Sequence, residues 1–280
     1  AQRTDSGTGS VLVLHSYNVG YKWTDDITAG IVEVLGGAGR DVEIQLEYMD
    51  TNRIYDEEYL RLLYDTFAYK FAERRFDVVI VSDNNAFSFL LEHRDALFPG
   101  TPVVFCGVNY VEPAVLVGHE GFTGVNEAAD VRKGIDLALR LHPETEAIVI
   151  VNDTTSTGQR LHDELKTIET EQRGRVRFVW MEAVTMGDLQ QTLKVLPPRS
   201  IVFYTRFLSD KSGTFYEYDE SIRMVVESST VPVYGTWDFS LGFGIVGGML
   251  TSGVEQGRAA GEIAARILRG ESADAIPVVM

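Results

Sequence analysis

Val11-Leu-Val-Leu-His-Ser-Tyr-Asn-Val-Gly-Tyr-Lys-Trp23 decides the reading of this chain, because an apolar run stops abruptly there at polar and aromatic residues. Val11 to Leu14 is too short for a helix and has no polar face, the pattern of a strand buried on both sides of a parallel sheet. In open α/β sheets ligands sit outside the carboxyl ends of the strands. His15, Ser16, Tyr17 and Trp23 fall at such an end and are candidate ligand residues. The alternative for Tyr17 and Trp23 is that they only pack the loop, the usual fate of aromatics.

Outward from this stretch the pattern repeats. Thr24-Asp-Asp26 offers a helix start, Ile27, Ile31, Val34 and Leu35 recur at helical spacing, and Gly36-Gly37 ends the run. Val42 to Tyr48 alternates as a strand, and Leu60, Leu63, Tyr64, Phe67 and Phe71 share one helical face. Val78 to Val81 is a buried strand ending in Ser82-Asp-Asn-Asn85, and Val103 to Phe105 another, ending in Cys106-Gly-Val-Asn-Tyr110. Asp83, Asn84 and Asn109 thereby join the candidate set. Gly121 to Val125 reads as a crossing segment, after which the pattern restarts with a helix over Val131, Ile135, Ala138 and Leu141.

In this second half, Ala147 to Val151 is a strand that opens through Asn152-Asp-Thr-Thr-Ser-Thr-Gly158 onto a helix. Hydroxyls and backbone N–H groups at a helix start suit an anionic or hydroxyl-bearing ligand, which nominates Asp153, Thr154 and Thr155; a plain helix cap is the alternative. Val176 to Trp180, Ser200 to Tyr204 and Pro232 to Gly235 are further strands. Arg206 follows one of them, where a guanidinium can grip a carboxylate with two parallel hydrogen bonds or be spent on an interdomain salt bridge. Trp237 and Asp238 follow another. Gly242-Phe-Gly-Ile-Val-Gly247 matches a dinucleotide pattern, but these glycines lead into the apolar run Ile245 to Leu250 and do not open a helix, so the match is rejected. A last helix spans Val254 to Leu268, and Ile276 to Met280 is strand-like.

A chain of 280 residues suggests two compact units. The net charge of −16 argues against nucleic acid, which needs clustered Lys and Arg. The single Cys106 excludes an internal disulfide framework. No run reaches the roughly 20 apolar residues that cross a bilayer, and the chain reads as a processed or excised piece. The five histidines, His15, His93, His119, His142 and His162, are dispersed, and no spacing resembles a metal site. No catalytic set, metal site or cofactor motif emerges, so the expectation is a binding module and not an enzyme. The rival is an α/β enzyme acting on a small polar substrate through His15, the apolar-flanked Cys106, or the aspartates.

Val11 to Tyr17 with Gly20-Tyr-Lys-Trp-Thr24, Val79-Ile-Val-Ser-Asp-Asn84, Phe98-Pro-Gly100, Val103 to Asn109 and Phe122-Thr-Gly-Val125 together resemble the extracytoplasmic sensor domains of bacterial signalling proteins. Those domains are similar to ABC-transporter substrate-binding proteins of the type I periplasmic class, especially the branch associated with aromatic amino acids. The resemblance covers residues 11 to 280. It implies two Rossmann-like α/β lobes with parallel sheets and a hinge, expected as a lead-in at 1–10, an N-terminal lobe of 11–122 with 241–269, and a C-terminal lobe of 123–240 with 270–280. It further implies a periplasmic location, a small polar or aromatic ligand held in a cleft without chemistry, and attachment in the full-length protein to a membrane-bound histidine kinase or cyclase that could dimerise. Under it the ligand positions are His15, Ser16, Tyr17, Trp23, Asp83, Asn84, Asn109, Asp153, Thr154, Thr155, Arg206, Trp237 and Asp238. A free transporter receptor of the same fold is the alternative it leaves open.

Overall fold

The structure is a computed structural model that describes residues 8–37, 41–109, 111–127 and 130–279, with all side chains in these ranges except those of residues 156 and 157. Most of the expected lead-in (residues 1–7), Tyr110 and Met280 lie outside the described residues. The chain divides into two compact units, Ala1–Ala128 with Ser252–Met280, and Ala129–Thr251.

The first unit runs β1 (Gly9–His15), α1 (Lys22–Gly36), β2 (Val42–Tyr48), α2 (Glu57–Lys70), β3 (Val78–Ser82), α3 (Asp83–Leu97), β4 (Val103–Asn109) and β5 (Phe122–Glu127). Its five strands are parallel in the order β2-β1-β3-β4-β5. β3 and β4 are buried along their whole length, as expected for strands covered on both faces. β4 carries a register shift between Phe105 and Val108, where Gly107 takes φ +63°. That left-handed position suits glycine, and a Cβ on it would come within 3.2 Å of Asp83 Oδ1.

The second unit runs α4 (Val131–Leu141), β6 (Ala147–Val151), α5 (Ser156–Glu171), β7 (Arg177–Met181), α6 (Met186–Leu193), β8 (Ser200–Tyr204), α7 (Tyr218–Ser228) and β9 (Val233–Gly235). Its four strands are parallel in the order β7-β6-β8-β9. The chain then returns to the first unit with α8 (Gly253–Leu268), which lies against α1. The two helices approach backbone to backbone: a Cβ on Gly257 would sit 2.1 Å from Ile27 O, and one on Gly30 would sit 2.2 Å from Val254 O. Glycine at these positions permits the close crossing.

Several boundaries differ from those expected. Residues 122–127 form β5, an integral strand of the first sheet, and not a crossing segment. Residues 270–280 join the first unit: Gly121 N donates to Asp274 Oδ1, Thr123 Oγ1 donates to Ile276 O, and Val279 bridges Val125. Residues 241–251 join the second unit, through bridges Tyr234–Gly247 and Trp237–Thr251. The glycine run 242–247 forms turns and opens no helix. α1 begins at Lys22, two residues before the expected cap.

Candidate functional site

In the first unit the loops at the carboxyl edge gather around Asp83. This residue follows β3 with φ +68°, a left-handed conformation that side chains other than those of Asn and Asp rarely take, and it is 4% exposed. Asp83 Oδ1 accepts from Trp23 Nε1 at 2.8 Å, so the indole of α1 is tied to the start of α3. Next to it, Asn84 Oδ1 accepts from both the backbone N and Nδ2 of Asn109, each at 3.3 Å. Asn109 Nδ2 also donates to Glu127 Oε2 at 3.3 Å. Gly107 N donates to Gln256 Oε1 at 2.9 Å, which brings α8 to the same edge. Tyr17, half-buried, meets Tyr21 edge to face at 5.5 Å.

Trp23, Asp83 and Asn109 are buried but keep a small exposed surface, whereas two expected ligand residues of this unit, His15 and Ser16, keep none. His15 has no exposed surface; its Nδ1 is 2.8 Å from Ser82 Oγ and its Nε2 3.0 Å from Thr28 Oγ1, with the ring stacked on Tyr48. Thr28 gives its one hydroxyl proton to Thr24 O, so His15 Nε2 carries the ring proton and Nδ1 accepts from Ser82. Burial pushes the imidazole pKa down to about 4, leaving it neutral. Ser16, also fully buried, donates to Ser82 O and accepts from Ala86 N. Both residues hold the ends of β1 and β3 together, a role that reading strand ends from sequence does not separate from ligand contact.

In the second unit Asp153 is 2% exposed and saturated. Its Oδ1 accepts from the N and Oγ1 of Thr155, and its Oδ2 accepts from Leu208 N at 2.9 Å and Arg206 Nε at 3.2 Å. Thr155 caps α5 by accepting from Gly158 N, while Thr154 is exposed. The salt bridge of Arg206 joins it to Asp153 of its own unit, where the expected alternative was an interdomain one, and its side chain keeps 17% exposure. Trp237 is buried and stacks on Phe239 at 6.3 Å. Asp238 follows at the end of the same loop, and its Oδ1 is buried without a hydrogen-bond partner among the described residues.

Sequence reasoning missed Glu127 and Gln256. Glu127 is 2% exposed and closes β5, whose Thr, Gly, Asn and Glu hide a strand pattern in the sequence. Gln256 reaches the edge only because α8 crosses α1. Cys106 is fully buried in β4; burial first, and the charges of Asp83 and Glu127 next, push its thiol well above the ordinary range, which leaves it protonated and inert. Among the described residues no group of His, Cys, Asp and Glu is placed to hold a metal ion.

The fold is shared with solved structures. A conserved domain protein from Vibrio cholerae superposes with TM-score 0.66 at 15% identity, covering 98% of this chain and 89% of that one. A periplasmic ribose ABC transporter protein from Conexibacter woesei gives 0.63 at 15% identity, covering 98% and 90%. The ABC domain from Streptococcus pneumoniae in complex with L-Trp gives 0.61 at 15% identity, covering 96% and 89%. At such identities the likeness speaks for the fold, that of type I periplasmic binding proteins. No curated protein matches the chain. Two parallel α/β units with polar and aromatic carboxyl edges agree with the match of residues 23–280 to the model for ABC transporter substrate binding proteins, a substrate-binding and non-catalytic family, and to that family the chain belongs.

Proposed function

We propose that the chain binds a small polar or aromatic molecule, such as an amino acid or aromatic acid, through residues at the carboxyl edges of its two sheets, and that it does so outside the cytoplasm. The observation that carries this reading is the orphaned acceptor at Asp238 beside Trp237, since a buried oxygen without a donor is costly until a donor arrives. Tyr17, Trp23, Asp83, Asn84 and Asn109 form the contribution of the first unit, with Glu127 added. Thr154, Arg206, Trp237 and Asp238 form that of the second, while His15, Ser16, Asp153 and Thr155 support the loops. The family is typically extracytoplasmic. Among the described residues no helix is long and apolar enough to cross a membrane.

The physiological role follows in two forms. One is the input module of a membrane-tethered histidine kinase or cyclase, suggested by the motifs around Val11 to Trp23 and Val103 to Asn109. The other is the free receptor of an ABC transporter, and the family match favours it at least as strongly. A reading frame continuing into a membrane helix and a kinase or cyclase supports the first; a permease gene beside it supports the second.

Thermal-shift screening against amino acids and aromatic acids tests the binding. A ligand present at about 100 times its dissociation constant adds about 2.7 kcal/mol. Tyr17→Ala and Arg206→Ala, one in each unit, should each weaken the hit about tenfold by calorimetry. An affinity indifferent to both substitutions removes these edges from the site.

A further inference from the structure

At the carboxyl edge of the second sheet Asp153 stands beyond β6, Arg206 beyond β8 and Asp238 beyond β9. Arg206 Nε donates to Asp153 Oδ2 at 3.2 Å, so those two charges cancel. Asp238 has no such counter-charge. Among the described residues no hydrogen bond or ion pair reaches its carboxylate, and its Oδ1 is buried. The backbone around it is fixed: Asp238 N donates to Thr251 O at 3.0 Å, and Leu241 N donates to Asp238 O at 2.9 Å. The loop therefore holds the side chain in place, and no partner of its own does.

The chemistry of that oxygen selects the ligand. Any donor satisfies a buried acceptor, but a carboxylate drawn partly out of water also carries a negative charge, which is costly until a cation meets it. A hydroxyl or an indole N–H supplies the hydrogen bond and leaves the charge. An ammonium supplies both, in the shorter and stronger charge-assisted bond. Aromatic rings stand beside it: Trp237 precedes Asp238 and stacks on Phe239 at 6.3 Å, and Phe239 meets Tyr218 edge to face at 4.1 Å. The faces of such rings attract cations as well. We propose that the ligand of this edge is an organic amine, bound in its ammonium form with Asp238 as counter-ion, and that a carboxylate on the ligand is not required. The inference rests on the reading of this edge as a ligand site and narrows the class it takes, since an aromatic acid without an amino group falls outside it. The edge of the first unit agrees in sign, with Asp83 and Glu127 buried there at 4% and 2% exposure.

Calorimetry at neutral pH compares molecules that share one ring. In the phenyl series β-phenylethylamine and L-phenylalanine carry an ammonium, 2-phenylethanol a neutral donor, and 3-phenylpropionate a carboxylate alone. Tryptamine, L-tryptophan, tryptophol and indole-3-propionate form the same series on the larger ring. In at least one series both amines should bind roughly tenfold or more tighter than the alcohol and the acid. Asp238→Asn should weaken the amines roughly tenfold or more and leave the alcohol and the acid unchanged. Without ligand the same variant should be at least as stable as the wild type in urea titrations, because it removes a charge that no described residue meets. A purely structural role for Asp238 predicts a loss of stability there and overturns the proposal. An acid or an alcohol that binds as tightly as its amine overturns it and leaves the site standing, and so does amine binding indifferent to Asp238→Asn. Stabilisation by sodium chloride alone that disappears in Asp238→Asn makes the occupant an inorganic ion, against the proposal. If no member of either series binds, the inference falls together with the reading of the edge as a ligand site.

Discussion

His15 shows how much one buried ring can govern. The folded first unit keeps it neutral, with a pKa of about 4, while an unfolded chain would protonate it near 6.5. Above pH 6.5 both states carry the neutral ring and it contributes no pH dependence. Between about 6.5 and 4 the unfolded state binds the extra proton, so stability falls as the pH falls, by on the order of 3 kcal/mol over the window. Denaturant titrations at pH 7 and pH 4.5 should show this slope in the wild type and lose most of it in His15→Gln; an equal slope in both assigns it elsewhere. From sequence, His15 was legible as a residue at a strand's carboxyl end, but not as an interior one. What decides is the pair of hydroxyls on Ser82 and Thr28, and these come from β3 and α1, far apart in the chain. Arg206 and Asp153 were likewise legible as strand-end charges, while their mutual bond was not, because 53 positions separate them.

At the scale of elements, apolar runs such as Val11–Leu14, Val78–Val81 and Ala147–Val151 stand where the structure places β1, β3 and β6. Strands buried on both faces have no polar residue to confuse the reading. β5 is hidden in the sequence because Phe122-Thr-Gly-Val-Asn-Glu127 mixes polar residues into an edge strand, and the helices α6 and α7 are not among the expected elements. The crossing of α1 and α8 depends on glycines whose purpose sequence cannot show. Gly257→Ala should destabilise the first unit by about 1–3 kcal/mol in urea titrations, because its Cβ meets the rigid carbonyl of Ile27. Gly187→Ala in α6 is the contrast: nothing but Thr185 Oγ1, 3.9 Å away, approaches its Cβ, so it should be neutral or stabilising by up to about 1 kcal/mol. Equal losses at the two sites would mean that the close approach to Ile27 does not set the cost at Gly257.

For the whole molecule the two-unit architecture was legible, because the sequence of strand, polar loop and helix restarts after residue 130. The unit boundaries were not, as they depend on where short segments after β9 and α8 find a hydrogen-bonding edge. The second unit is one continuous stretch, Ala129–Thr251, whereas the first is built from both ends of the chain. Ending the chain after Thr251 should therefore keep hydrogen-exchange protection in β6 to β9 and lose it in β1 to β5. Protection surviving in β1 to β5 would show that α8 is dispensable to them. The crossing of α8 on α1 also sets a timetable. A nascent chain that emerges amino end first must produce the 123 residues from Ala129 to Thr251 before Gly257 can reach Ile27. At ordinary synthesis rates that takes roughly 6–25 s. During this interval the first sheet waits with the side of α1 that meets α8 uncovered, the window in which a chaperone would act on it.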